Sequence, residues 1–76
     1  MLELAVMVDR ETALERAVRV VGGQAKFARL IGVTAQAVSQ WDEVPPLRVL
    51  EVERVSGVPR HELRPDLYPL ENEARA

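Results

Sequence analysis

Apolar residues recur along this chain at spacings of three and four, the period of helices that bury one face. Leu14, Ala17, Val18 and Val21 make one such face, Phe27, Ala28, Leu30 and Ile31 a second, Val38 and Trp41 a third, and Leu47, Leu50 and Val55 a fourth. The breaks between them carry stop and start signals. Thr12 and Glu15 have capping-box spacing, with Asp9 as an alternative cap, so a first helix is expected over residues 11–21, ended by Gly22 and Gly23. Gly32 stops the second helix, and the Thr34 hydroxyl can cap a third. Pro45 and Pro46 fit the first turn of a fourth, where a missing amide hydrogen costs no helical bond; it should end at Ser56, before Gly57. Pro59 opens a short fifth turn through Leu63, and Pro65 closes it. Leu67 and Tyr68 are then expected to fold back onto the bundle. The expected fold is all-α, a compact domain of four to five helices.

Within this pattern, residues 24–41, QAKFARLIGVTAQAVSQW, read as two short helices joined by a tight turn. Ala28 lies four positions before Gly32, where the two helices should cross, and a methyl group is about as much side chain as a close crossing holds. Trp41 continues the Val38 face three residues on, as a core anchor would. The outward positions of the second helix are Ala35, Gln36, Ser39 and Gln40, with Thr34 at its start. All are uncharged and most are small. Glutamine can pair bidentately with adenine, serine and threonine can bond to either base type, and an alanine or threonine methyl can pack on the thymine methyl. These side chains suit a helix in the major groove.

The order and spacing of Gln24, Ala28, Gly32, Val33, Val38 and Trp41 resemble the helix-turn-helix of the lambda-repressor-like superfamily. Residues 13–68 as a whole resemble Cro-like or YdaS-like regulators of prophage origin, a group often described as antitoxins. The resemblance is carried by ALERAVRVVGGQAKFARLIGV, AVSQW, VLEVERVSG and RHELRPDLYP. It implies that residues 34–40 form a recognition helix and that Gln24, Ala25 and Lys26 face the phosphate backbone, with Arg29 helping to position it. It further implies transcriptional repression in a prophage or toxin-antitoxin operon, on double-stranded operator DNA. A toxin protein is a further expected partner. One departure stands out: relatives commonly carry basic residues and a glycine after the tryptophan, whereas this chain has Asp42, Glu43 and Val44. Either the loop points away from the duplex, or affinity is reduced, or the loop meets a protein. A module of the same fold that binds protein and not DNA is therefore the competing reading.

Overall charge does not favour nucleic acid, because 12 acids against 10 bases leave a net charge of −2. Distribution changes that picture. From Arg16 to Trp41 there is no acid, and Arg16, Arg19, Lys26 and Arg29 supply all the charge; since salt limits each charge's reach to roughly 8–10 Å, the local patch outweighs the sum. With only 3 aromatic residues, the core must rest on Val, Leu and Ala. The absence of cysteine excludes disulfides and thiolate metal sites, and the cytoplasm is the expected compartment. The opening MLELAVMVD lacks a basic start and a long apolar core, so it makes a poor signal peptide and is too short to span a bilayer.

No enzyme is expected. The single His61 beside Glu62 has no companions for a metal site, Ser39 and Ser56 lack a G-x-S-x-G context, and Gly22 and Gly23 lack P-loop spacing. Neither a cofactor nor a small-molecule substrate is implied. Arg64 and Asp66, flanking Pro65, are placed to form a surface ion pair that shapes the last turn. The expected organisation is an N-terminal extension over 1–9, one helix-turn-helix domain over 10–69 and a frayed tail over 70–76. The extension reads equally as a strand-like arm, a dimer contact or residues upstream of a start at Met7. So short a recognition surface reads few base pairs, so a homodimer on a two-fold symmetric site is expected, with residues 2–8 and Tyr68 as candidate contacts.

Overall fold

In a computed structural model of the chain, residues 11–70 are described. The expectations for residues 1–9 and for the tail beyond residue 70 lie outside them. Helix α1, Ala13–Val21, is opened by the Thr12 and Glu15 capping box, in which each residue's side chain accepts from the other's backbone N–H at 2.9 and 3.0 Å. The helix therefore starts two residues later than expected, which leaves Glu11 outside it. Gly22 closes it with φ 111°, a left-handed backbone that a side chain would strain. Helix α2, Gln24–Ile31, ends at Gly32 in the same way, and the Val33 N–H donates to the Ala28 carbonyl at 2.9 Å. Helix α3, Ala35–Ser39, follows at once. A 3-10 turn, Pro46–Arg48, leads into α4, Val49–Ser56, and Pro59 precedes the short α5, Arg60–Leu63. Every element among the described residues is helical, as the apolar spacing predicts.

Phe27, Ile31, Val44, Val49 and Val52 are fully buried, and Leu14, Ala17, Ala28, Val38, Val58 and Leu63 complete the core. Trp41 lies against it with its ring edge-on to Phe27, centroids 6.4 Å apart at 82°. Tyr68 also packs on the core, beneath the Arg60 guanidinium at 5.6 Å, whereas Leu67 stays exposed. Three apolar expectations need correcting. Leu47 and Leu50 face solvent, 97% and 50% exposed, and Leu30 is 46% exposed. The proline pair starts a 3-10 turn and not the α-helix, so the α-helical register begins at Val49 and turns Val49 and Val52 inward in place of the leucines, with Val55 partly buried. Leu30 is displaced by its neighbour Ile31, which takes the inward place at the end of α2.

The last turn also differs from the expected surface ion pair. Arg64 is buried, 8% exposed, and its Nη1 donates to the Val44 carbonyl at 2.8 Å. Its Nε and Nη2 take both Asp66 oxygens at 3.0 and 2.7 Å, and Glu43 stands 3.5 Å away. One guanidinium thereby ties the loop after α3 to the chain after α5. No helix among the described residues is long and apolar enough to cross a membrane.

Candidate nucleic-acid interface

A helix of five residues does not hold itself together in water. Within α3 itself, the Thr34 hydroxyl accepts from the Ala37 N–H at 3.0 Å, and Val38 is buried. With roughly 100° per residue, Gln36 and Gln40 fall about 20° to either side of the point opposite Val38. Both are exposed and form the outward ridge of the helix, while Ser39 and Ala35 lie along one side of it. The Ser39 hydroxyl donates to the Gln36 carbonyl of its own helix at 2.7 Å, which turns its hydrogen away from solvent. Thr34 is exposed at the cap, its hydroxyl hydrogen still available to donate.

Gln24 does more than line the start of α2. Its Nε2 donates to the Ala35 carbonyl at 2.6 Å, so the first residue of α2 holds the first residue of α3. Sequence reasoning placed Gln24 at the backbone interface but missed this clamp, because nothing local marks a partner eleven positions away. Gly23 offers no side-chain cap, and the amides of Gln24, Ala25 and Lys26 have no helical acceptor, so they suit an external one. Ala25, Lys26 and Arg29 are exposed on the solvent side of α2.

The expected patch of four positive charges is reduced by half. Arg16 pairs with Glu62, joining α1 to α5, and Arg19 holds both Glu11 oxygens at 2.8 and 3.0 Å. The Arg19 hydrogen bond keeps the Glu11 carboxyl below the usual carboxylate range, and the same bond raises the arginine. Lys26 and Arg29 make no ion pair among the described residues. Of the acids after Trp41, Glu43 turns towards Arg64, which partly answers the departure noted in that loop.

Two open concavities flank these elements. One, about 330 Å³, runs between α1 and α3 and is lined by Leu14, Glu15, Val18, Arg19, Gln24, Val38, Ser39 and Trp41. The other, about 440 Å³, lies at the far end against Glu53, Arg60, His61 and Tyr68, where Arg60 is held by Glu53 at 3.0 Å. His61 stands 3.9 Å from Glu62. Among the described residues no three His, Cys, Asp or Glu side chains gather as a metal site would require.

Two helices joined at a left-handed glycine, the first with a buried Ala28 and the second presented outward, define a small all-α helix-turn-helix domain. A family model described as Bacterial toxin YdaS matches residues 14–71, and the chain belongs to this family. It is similar to "Putative transcriptional regulator YdaS" of Escherichia coli (strain K12), at 38% identity over 69 residues, 80% of this chain and 68% of that protein. No solved structure matches the chain.

Proposed function

We propose that this chain is a non-enzymatic regulator of transcription that reads duplex DNA with α3 in the major groove. One observation carries the reading: an uncharged amide ridge, Gln36 and Gln40, faces outward on a helix that Gln24 clamps to a second helix bearing Lys26 and Arg29. Amides can discriminate adenine by two hydrogen bonds, and the cations and open amides of α2 suit backbone phosphates. Thr34, Ala35 and Ser39 border the ridge and contact neighbouring bases or the sugar edge. The relative's name, a transcriptional regulator, agrees with this role. Repression in the cytoplasm, on a prophage or toxin-antitoxin operon and by a homodimer on a two-fold site, is the form the function takes.

A second reading keeps the fold as a protein-interaction module, with a toxin-system protein as partner. The family's description, which names a toxin and not an antitoxin, favours it. Fluorescence anisotropy separates the two, with duplex DNA from immediately upstream of the gene, a scrambled duplex, and a Gln36→Ala, Gln40→Ala double variant. Tighter binding to the upstream duplex, lost in the double variant with circular dichroism unchanged, is the expected result. Equal weak binding to every duplex, or none, overturns the DNA reading in favour of the protein partner.

A further inference from the structure

Arg19 lines the same groove between α1 and α3 as Gln24 and Ser39, at the edge of the proposed DNA face. The backbone fixes that placement: the Gly22 N–H donates to the Arg19 carbonyl at 3.1 Å and the Gly23 N–H to the Val18 carbonyl at 2.9 Å. Arg19 thus sits one tight turn from the uncapped start of α2. Arg16, one turn earlier, is drawn the other way by Glu62. The Arg19 Nε and Nη2 hold the two Glu11 oxygens at 2.8 and 3.0 Å, the two-pronged geometry in which an arginine also takes a phosphate. The arginine side chain is 62% exposed, so this ion pair stands in water, where such pairs are weak and exchangeable. Glu15 lines the same groove, but its Oε1 already accepts from the Thr12 N–H at 2.9 Å.

Resting on the DNA-binding reading, we propose that Arg19 is a phosphate-binding residue of the interface and that Glu11 is its built-in competitor. In the free protein the carboxylate occupies the site of a backbone phosphate. On DNA the guanidinium passes to a phosphate beside the start of α2, and Glu11 is released to solvent. The cost of opening the ion pair is subtracted from the gain of the phosphate contact, whereas a duplex that brings no phosphate to this position leaves the pair closed and gains nothing from Arg19.

The test measures anisotropy on the upstream duplex from roughly 50 to 200 mM salt for the wild-type chain, Glu11→Gln, Arg19→Ala, Arg19→Lys and the Glu11→Gln, Arg19→Ala double variant, with circular dichroism melts as the folding control. Each phosphate contact contributes about −0.9 to the slope of log affinity against log salt. Arg19→Ala is expected to weaken binding and make the slope shallower by about 0.9, while Arg19→Lys keeps the slope. Glu11→Gln should tighten binding about two- to fivefold, the scale of an exposed ion pair, and only when Arg19 is present. A wild-type slope in Arg19→Ala, or tightening by Glu11→Gln that persists without Arg19, overturns the proposal while the DNA reading stands. Absence of wild-type binding removes the DNA reading itself.

Discussion

Arg64 shows how much one residue can be misjudged from its neighbours. Its pairing with Asp66 was legible, since the two flank Pro65 and a turn brings them together. Its burial was not, because the decisive partner is the Val44 carbonyl 20 positions away. A buried guanidinium that joins a backbone carbonyl to the Asp66 carboxylate is a clamp, and its removal would strand the Val44 carbonyl. The Arg64 hydrogen bond, against a smaller opposing effect of desolvation, holds the Asp66 carboxyl below its ordinary range. A carboxylate lowered by folding stabilises the native state above its unfolded pKa, and that contribution is lost as the pH falls through the folded value. Asp66→Asn should therefore melt lower than the wild type at neutral pH, and the gap should close as the pH drops below about 4. Thermal melts by circular dichroism between neutral and acid pH check this. A gap that does not change with pH would mean that Asp66 acts by packing and not by charge.

At the scale of elements, the stops of α1 and α2 and the cap of α3 were legible because capping chemistry is local, whereas α1 begins two residues later than expected. Thr12 with Glu15, Gly22, Gly32 and Thr34 each do what their residue type favours. The register of α4 was not, since two apolar faces compete in residues 47–55 and leucines outweigh valines on hydrophobicity alone. Tertiary contacts choose: Arg48 reaches the Ile31 carbonyl at 3.3 Å, and Val49 and Val52 enter the core beside Val44. The five-residue α3 depends most on its cap, having so few internal bonds. Thr34→Ala should cost about 1 kcal/mol in urea unfolding with an unchanged m-value, and Thr34→Ser should recover most of it. Ala28, buried on α2, leaves equally little room beside it. Ala28→Leu, at a position 2% exposed, should cost about 1–3 kcal/mol by overpacking and weaken any DNA binding further by splaying α2 from α3. An Ala28→Leu variant of wild-type stability would show that this position has room to spare.

For the molecule as a whole, the small size of the core makes folding and binding hard to separate. A chain of 76 residues is expected to have a total stability of about 4–11 kcal/mol. Phe27 touches the heart of the core and carries the edge-on contact to Trp41, so Phe27→Ala should remove about 3–5 kcal/mol, a large share of that total. The variant should melt more than about 12 °C below the wild type. A ligand that binds only the folded state acts in the opposite direction. At a hundred times its dissociation constant it adds about 2.7 kcal/mol, or about 10–20 °C in a domain of this size. The upstream duplex should therefore raise the melting temperature of both proteins, and most of the rise should disappear with a scrambled duplex or with the Gln36→Ala, Gln40→Ala variant. This measurement separates lost folding from lost recognition, because Phe27→Ala lowers the starting point but keeps the shift, whereas the glutamine variant keeps the starting point and loses the shift. If no duplex moves the wild-type melt, the amide ridge of α3 does not read DNA, and a protein partner takes its place as the ligand to test.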